Sequence, residues 1–203
     1  MANITAICVY CGSSPGQKAV YAKSAETLGQ ALADNKLRLV YGGGSVGLMG
    51  ILARSVLEHG GQVTGIIPGF LAEKEIMLKQ AHELIVTEDM HERKKSMFER
   101  ADAFVALPGG IGTLEELIEM LTWAQLGRHE KPVLLANIDR FWDPLLVLLD
   151  HMAEEKFVSR EFVERIIRVN RAEDIIPALN AAAESAETGP WRHPAGADAL
   201  SNL

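Results

Sequence analysis

Short runs of β-branched and apolar residues alternate with amphipathic stretches along most of this chain, and that alternation leaves few folds open. The strand candidates are Thr5–Tyr10, Arg38–Tyr41, Gln62–Ile67, Glu83–Thr87, Ala103–Leu107, Pro132–Asn137 and Ile167–Val169. Helical patterns lie between them near residues 17–34, 47–59, 89–101, 113–127, 143–155 and 172–183. Strand–helix alternation with short links gives right-handed βαβ units and a mostly parallel sheet with helices on both faces. The expected fold is therefore α/β, a doubly wound, Rossmann-like sheet of about seven strands; a barrel would need an eighth strand and a steadier rhythm. With 203 residues, 48% of them hydrophobic, the chain can bury one sizeable core, and residues 1–183 are expected to form one α/β domain. The closing "ETGPWRHPAGADALSNL" is rich in Gly, Pro and Ala without periodicity, so 184–203 is expected to be a flexible tail.

Charge and composition narrow the function classes. The formal net charge is −7, whereas a nucleic-acid partner requires a basic face, so none is expected. A small anion remains compatible, because a local cluster can oppose the global charge. No stretch approaches the roughly 18 apolar residues of a membrane helix, and no membrane partner is expected. The opening "MANITAICVY" carries no basic leader before its apolar run, which points to a cytoplasmic protein. Cys8 and Cys11 are too few and too close for a disulfide framework or a zinc site, and Cys8 falls inside the first strand; two reduced thiols are expected. His82, His91 and His129 lack i, i+4 partners and any Cys or Asp array, so no metal is expected. Trp123 and Trp142 read as core or interface residues.

In an open parallel sheet, ligands bind beyond the carboxyl ends of the strands. Three loops there are rich in glycine or small residues: "YCGSSPG" after the first strand, "YGGGSVGLMG" after the second and "LPGGIGTLEE" after the fifth. Glycine lets backbone N–H groups converge and a helix N-terminus adds partial positive charge, a combination that suits a phosphate. In the third loop Gly109, Gly110 and Gly112 would line the cradle and Thr113 would add its hydroxyl. The same letters also read as a tight turn with a cap. Thr113-Leu114-Glu115-Glu116 fits the T-x-x-E capping box, in which Glu116 bonds back to the Thr113 amide; spacing alone leaves both readings open. The second loop lacks the Lys-Ser or Lys-Thr of a Walker loop and follows the second strand rather than the first, so neither a kinase nor a dehydrogenase is supported.

The helix behind the third loop carries a core stripe of Leu114, Leu117, Ile118 and Leu121, with Glu115, Glu116, Glu119 and Thr122 off or beside it. Glu115 and Glu116 stand close to whatever the loop holds. A second stretch, "EDMHERKKSMFERAD", precedes the fifth strand. On a helix Met90, Arg93, Lys94 and Met97 share one face, which sets two cations between inward methionines. Lys94 is long enough to snorkel to water. The planar fork of Arg93 suits a phosphate or carboxylate in the cleft.

In this order, "YGGGSVGLMG", "IPGFL", "MHERK", "PGGIGTLEE", "LTWAQLG" and "KPV" resemble the Lonely Guy family, the cytokinin riboside 5′-monophosphate phosphoribohydrolases, whose signature is PGGxGTxxE with an M-x-x-R-K segment. The resemblance runs from the first strand to about residue 180. It implies hydrolysis of the N-glycosidic bond of a nucleoside 5′-monophosphate, a cytokinin riboside monophosphate or AMP, to free base and ribose 5-phosphate, with no cofactor. It implies Arg93 and Glu116 as the catalytic pair. It also implies Glu75, Arg93, Lys94, Gly109, Gly110, Ile111, Gly112, Thr113, Leu114, Glu115, Glu116 and Thr122 as nucleotide contacts, with Met90 near the base. Family members of this length are homodimers, so a homodimer is expected. The family's older label, lysine decarboxylase, finds no lysine environment for pyridoxal phosphate here. A carboxylate beside the anomeric carbon stabilises an oxocarbenium-like state and activates water, which gives Glu116 its implied role. A module that senses a nucleotide without cleaving it would use the same loops and is the alternative.

Overall fold

The apolar runs pair into one sheet whose centre is covered on both sides. The computed structural model of the protein describes residues 4–72 and 77–185. Its strands are β1 (Ala6–Tyr10), β2 (Arg38–Tyr41), β3 (Val63–Pro68), β4 (Glu83–Thr87), β5 (Ala103–Ala106), β6 (Val133–Ala136) and β7 (Ile167–Val169). Every pairing is parallel and the spatial order is β4-β3-β2-β1-β5-β6-β7. The helices are α1 (Ala19–Asp34), α2 (Gly47–Glu58), α3 (Gly69–Ala72), α4 (Met90–Glu99), α5 (Ile111–Gln125), α6 (Asp143–Glu154), α7 (Arg160–Glu164) and α8 (Ile175–Ser185). The expected doubly wound sheet is thus present, with differences of detail, and β1, β3, β5 and β6 each depart from the expected bounds by one residue at one or both ends. Helices α3 and α7 are too short to show a period in the sequence. Helix α5 starts two residues before the pattern near 113. Helix α8 runs two residues into the segment assigned to the tail, and 186–203 lie outside the described residues.

Alternation along each strand divides the side chains between two cores. From β1, Ile7 and Val9 pack with Leu28 and Leu32 of α1, Leu52 of α2 and Leu179 of α8. Ala6, Cys8 and Tyr10 pack with Met97 of α4, Leu117 and Leu121 of α5 and Leu149 of α6. Each fully buried Leu or Ile contributes about 1.5–3 kcal/mol over an exposed one. Because both faces are covered, the central strands read as unbroken apolar runs. The same alternation sends Cys8 into one core and Cys11 into the other, free and buried, so the C-x-x-C spacing makes no redox pair. Burial pushes both thiols well above their usual range.

Topology places the cleft. The chain winds outward from β1 through β4, then crosses back to β5 on the other flank of β1. The loops after β1 and β5 therefore diverge at adjacent strand ends, the switch point where such sheets bind ligands. They meet at their roots, where the Gly12 N–H donates to the Pro108 carbonyl at 3.1 Å. The loop after β2 closes in beside them, with the Leu48 N–H donating to the Gly12 carbonyl at 3.0 Å. Gly47 has a left-handed φ of 61°, and a Cβ there would stand 2.2 Å from the Ser13 carbonyl carbon, so only glycine fits.

Behind this junction α1 and α2 approach closely at Gly29, where a Cβ would meet Ser55 Cβ at 2.6 Å and the Leu52 carbonyl oxygen at 2.8 Å. The Ser55 hydroxyl donates to the Glu26 carbonyl at 2.7 Å across the same seam. Gly29→Ala gains about 1 kcal/mol of helix propensity but forces two backbones apart. Urea denaturation is expected to show a net loss of about 1–3 kcal/mol; a net gain would mean the seam is loosely packed.

Candidate active site

Helix α4 is set in place at its first turn. Asp89 accepts from the Glu92 N–H at 2.8 Å, and the Glu92 carboxylate accepts from the Glu88 N–H at 2.7 Å. This close relative of the capping box satisfies one amide of the first turn and one just before the cap residue, and such a cap contributes about 1 kcal/mol. One turn on, Arg93 points inward and is 9% exposed. Its Nε donates to the Ile66 carbonyl of β3 at 3.1 Å and its Nη1 to Glu116 Oε1 at 2.9 Å. The inward reading of Arg93 holds. The Ile66 carbonyl is an acceptor that no side-chain pattern discloses.

Glu116 is 8% exposed. Burial pushes its carboxyl up to about 7, against the pull of Arg93 and with a further push from Glu115. An acid with that midpoint is divided between its two forms near neutral pH, as proton transfer requires. Its position overturns the capping-box reading. The helix begins at Ile111 with Gly110 as its cap residue, so Thr113 lies inside the first turn and no side chain caps the start. Thr113 is buried, and it occupies the hollow over Gly109, where a Cβ would stand 2.1 Å from its Oγ1.

The start of α5 is open. A Cβ at Gly110 or Gly112 would meet nothing within 4 Å, and Ile111 is 82% exposed. The amides of Ile111, Gly112 and Thr113 precede the first intrahelical bond, from the Leu114 N–H to the Gly110 carbonyl. Unsatisfied amides at a helix start attract an anion. From Gly112 to Glu116 the helix rises about 6 Å, on the scale of a ribose with its 5′-phosphate.

Lys94 does not reach for water. Its side chain is 13% exposed, with Nζ 2.7 Å from Glu115 Oε1 and 3.0 Å from Glu119 Oε1. Desolvation works against the ammonium, but hydrogen bonds to the two glutamates outweigh it and raise its pKa above the ordinary value. A lysine that forms a Schiff base must be neutral, so Lys94 does not fit pyridoxal phosphate. Thr122 follows Glu115 and Glu119 along the same face of α5, but it is exposed and its hydroxyl donates to the Ile118 carbonyl at 2.7 Å. The structure brings Arg93 to Glu116 and Lys94 to Glu115; it does not bring Thr122 to either pair. Met90 and Leu114 are half-buried at the starts of α4 and α5, and Glu75 lies outside the described residues. No group of His, Cys, Asp and Glu side chains among the described residues has the arrangement of a metal site.

Comparison with known proteins adds an independent line. A family model described as "Possible lysine decarboxylase" matches residues 49–179. A protein of Oryza sativa subsp. japonica, named a probable cytokinin riboside 5′-monophosphate phosphoribohydrolase, is 49% identical over 84% of this chain and 76% of its own. A cytokinin riboside 5′-monophosphate phosphoribohydrolase of Arabidopsis thaliana is 45% identical over 86% of this chain and 77% of its own. Among solved structures, a molybdenum cofactor binding protein of Rippkaea orientalis superposes with a TM-score of 0.67 at 22% identity, covering 89% of this chain and 98% of that one. A Moco carrier protein of Chlamydomonas reinhardtii gives 0.68 at 20% identity, covering 90% and 99%. These two show the fold alone.

Gly112→Ala separates an anion cradle from a plain helix start. The added methyl enters open space in a helical position, so urea denaturation is expected to show stability equal to or about 1 kcal/mol above wild type. The dissociation constant for AMP, by calorimetry, is expected to rise about tenfold or more, the equivalent of one lost hydrogen bond to a charged group. Unchanged AMP binding would remove the cradle.

Proposed function

The chain belongs to the family of the cytokinin riboside 5′-monophosphate phosphoribohydrolases, and on that premise we propose that its cleft hydrolyses the N-glycosidic bond of a nucleoside 5′-monophosphate, giving free base and ribose 5-phosphate. The observation that carries this reading is the buried Arg93–Glu116 pair, 2.9 Å apart, a helical turn beyond an open run of amides. The amides of Ile111 to Thr113 take the 5′-phosphate. The ribose then lies along α5 with its anomeric carbon toward Glu116, and positioning of this kind can supply several kcal/mol. As the C1′–N bond breaks, its electron pair leaves with the base and positive charge spreads over C1′ and the ring oxygen. Ionised Glu116 stabilises that charge and accepts a proton from the water whose oxygen bonds to C1′; the departing base anion takes up a proton in exchange, so that free base leaves and the carboxylate is restored. Arg93 keeps the carboxylate aimed and supports its charged form.

Lys94 of α4 and Glu115 of α5 extend the site beside Glu116, with Met90 near the base; Thr122 and Glu75 join them on the family resemblance alone. The substrates proposed are a cytokinin riboside monophosphate and AMP, with no metal or cofactor. A homodimer is proposed as well, supported by exposed apolar side chains: Ile118 of α5, which the sequence pattern set in the core stripe, Leu126 just past the end of α5, and Val147 and Leu148 of α6. A cytoplasmic location is consistent with the two free thiols, and no helix among the described residues is long and apolar enough to cross a membrane.

Product analysis tests the reading. Purified protein incubated with AMP or isopentenyl-AMP, without added metal, is expected to release base and ribose 5-phosphate in equal amounts by chromatography. Glu116→Gln is expected to lose about 10²–10⁴-fold in rate while still binding the nucleotide. Binding without product by wild type would replace the hydrolase by a sensor.

A further inference from the structure

The seat of the catalytic guanidinium is shaped by a residue that has no side chain. Gly42 follows Tyr41 at the end of β2. A Cβ at Gly42 would stand 2.3 Å from Arg93 Nη2, 3.5 Å from its Cζ and 3.3 Å from Met49 Sδ. The backbone at Gly42 lies outside the left-handed region, unlike Gly43 next to it with φ of +79°. Conformation therefore does not require glycine at position 42; space does. The other nitrogens of Arg93 are committed, Nε to the Ile66 carbonyl and Nη1 to Glu116. Of the atoms crowding the notch, the guanidinium is the far end of a long side chain and the easiest to displace. A methyl group at 42 would thus leave the strand in place and move the guanidinium that holds Glu116.

We propose that Gly42 is a positioning residue for the hydrolase, its missing side chain forming the notch that seats Arg93 against Glu116. This rests on the reaction proposed above. It also gives the glycine run after β2 a purpose apart from phosphate binding: the run brings backbone up to a guanidinium, whereas the run after β5 presents backbone to a ligand. Gly42 acts through Arg93, which makes it a positioning residue and not a catalytic one.

The test is Gly42→Ala in the full chain, combined in a cycle with Arg93→Ala and assayed with AMP. Gly42→Ala alone is expected to lower kcat about 10- to 100-fold, the scale of a misplacement near 1 Å, with KM for AMP within about threefold of wild type. In the Arg93→Ala background the guanidinium is gone from the notch and the flexible Met49 side chain borders it. Adding Gly42→Ala there is expected to change neither the thermal midpoint nor the residual kcat, because the two substitutions act through one contact. A wild-type kcat in Gly42→Ala overturns the proposal. So does an equal fall in thermal midpoint in both backgrounds, which would place the need for glycine in the backbone or in Met49. Where Gly42→Ala alone does not fold, the midpoint of the double variant against Arg93→Ala decides: a match supports the seat and a shortfall overturns it. Absence of base release from wild type would refute the reaction instead, and the midpoint comparison would still judge the seat.

Discussion

The buried pair of Arg93 and Glu116 is the interaction on which the rest of the site depends. It ties α4 to α5 and, through the Ile66 carbonyl, to the end of β3. Taking two charges out of water costs several kcal/mol per ion, and mutual attraction repays it only where the geometry is good and the remaining donors are used. Here the repayment is incomplete, as the raised carboxyl of Glu116 shows. A carboxyl whose folded pKa exceeds its unfolded value binds more protons when folded. Stability then falls as pH rises from the ordinary carboxylate range to about 7, and the cost is constant above that. The buried carboxylate is thus ionised at the expense of stability, a cost that Arg93 reduces, as expected of a group whose ionisation is used in chemistry.

Around that pair the glycines divide by what they make room for. Gly47 and Gly109 let protein pack on protein: a loop backbone at one, the Thr113 side chain at the other. Gly110 and Gly112 face open space at the start of α5. A glycine-rich signature read as a single phosphate cradle is therefore two devices, one that builds the walls and one that leaves an opening. The net charge of −7 does not oppose an anionic ligand, because the open amides at the start of α5 act locally and the two inward cations offset carboxylates beside them.

Much of the fold was legible. The bounds of β2, β4 and β7 follow from short apolar, β-branched runs between turn residues, and the parallel sheet follows from their alternation with helices. Strand order was not legible, since it depends on which flank of β1 the chain returns to, and nothing local records that choice. At the site, the inward face of Arg93 was readable from its place between Met90 and Met97. Two local inferences fell to tertiary geometry. The T-x-x-E letters at Thr113 form no cap because the helix starts earlier, at Ile111, and Glu116 turns to Arg93. Lys94, long enough to snorkel, is held by Glu115 and Glu119 from α5, a neighbour distant in sequence. The cap that matters is at Asp89 and Glu92, where D-x-x-E stands at the head of α4 and fixes the register of Arg93.

The most direct measurement is the ionisation of Glu116 itself. In protein labelled with carboxyl ¹³C-glutamate, the Glu116 signal is assigned by its loss in Glu116→Gln and followed through a pH titration, in wild type and in Arg93→Ala. The expected midpoint is about 7 in wild type, moving higher in Arg93→Ala because the carboxylate loses its nearby cation. A midpoint in the ordinary carboxylate range, unmoved by Arg93→Ala, would contradict a buried, arginine-held catalytic acid.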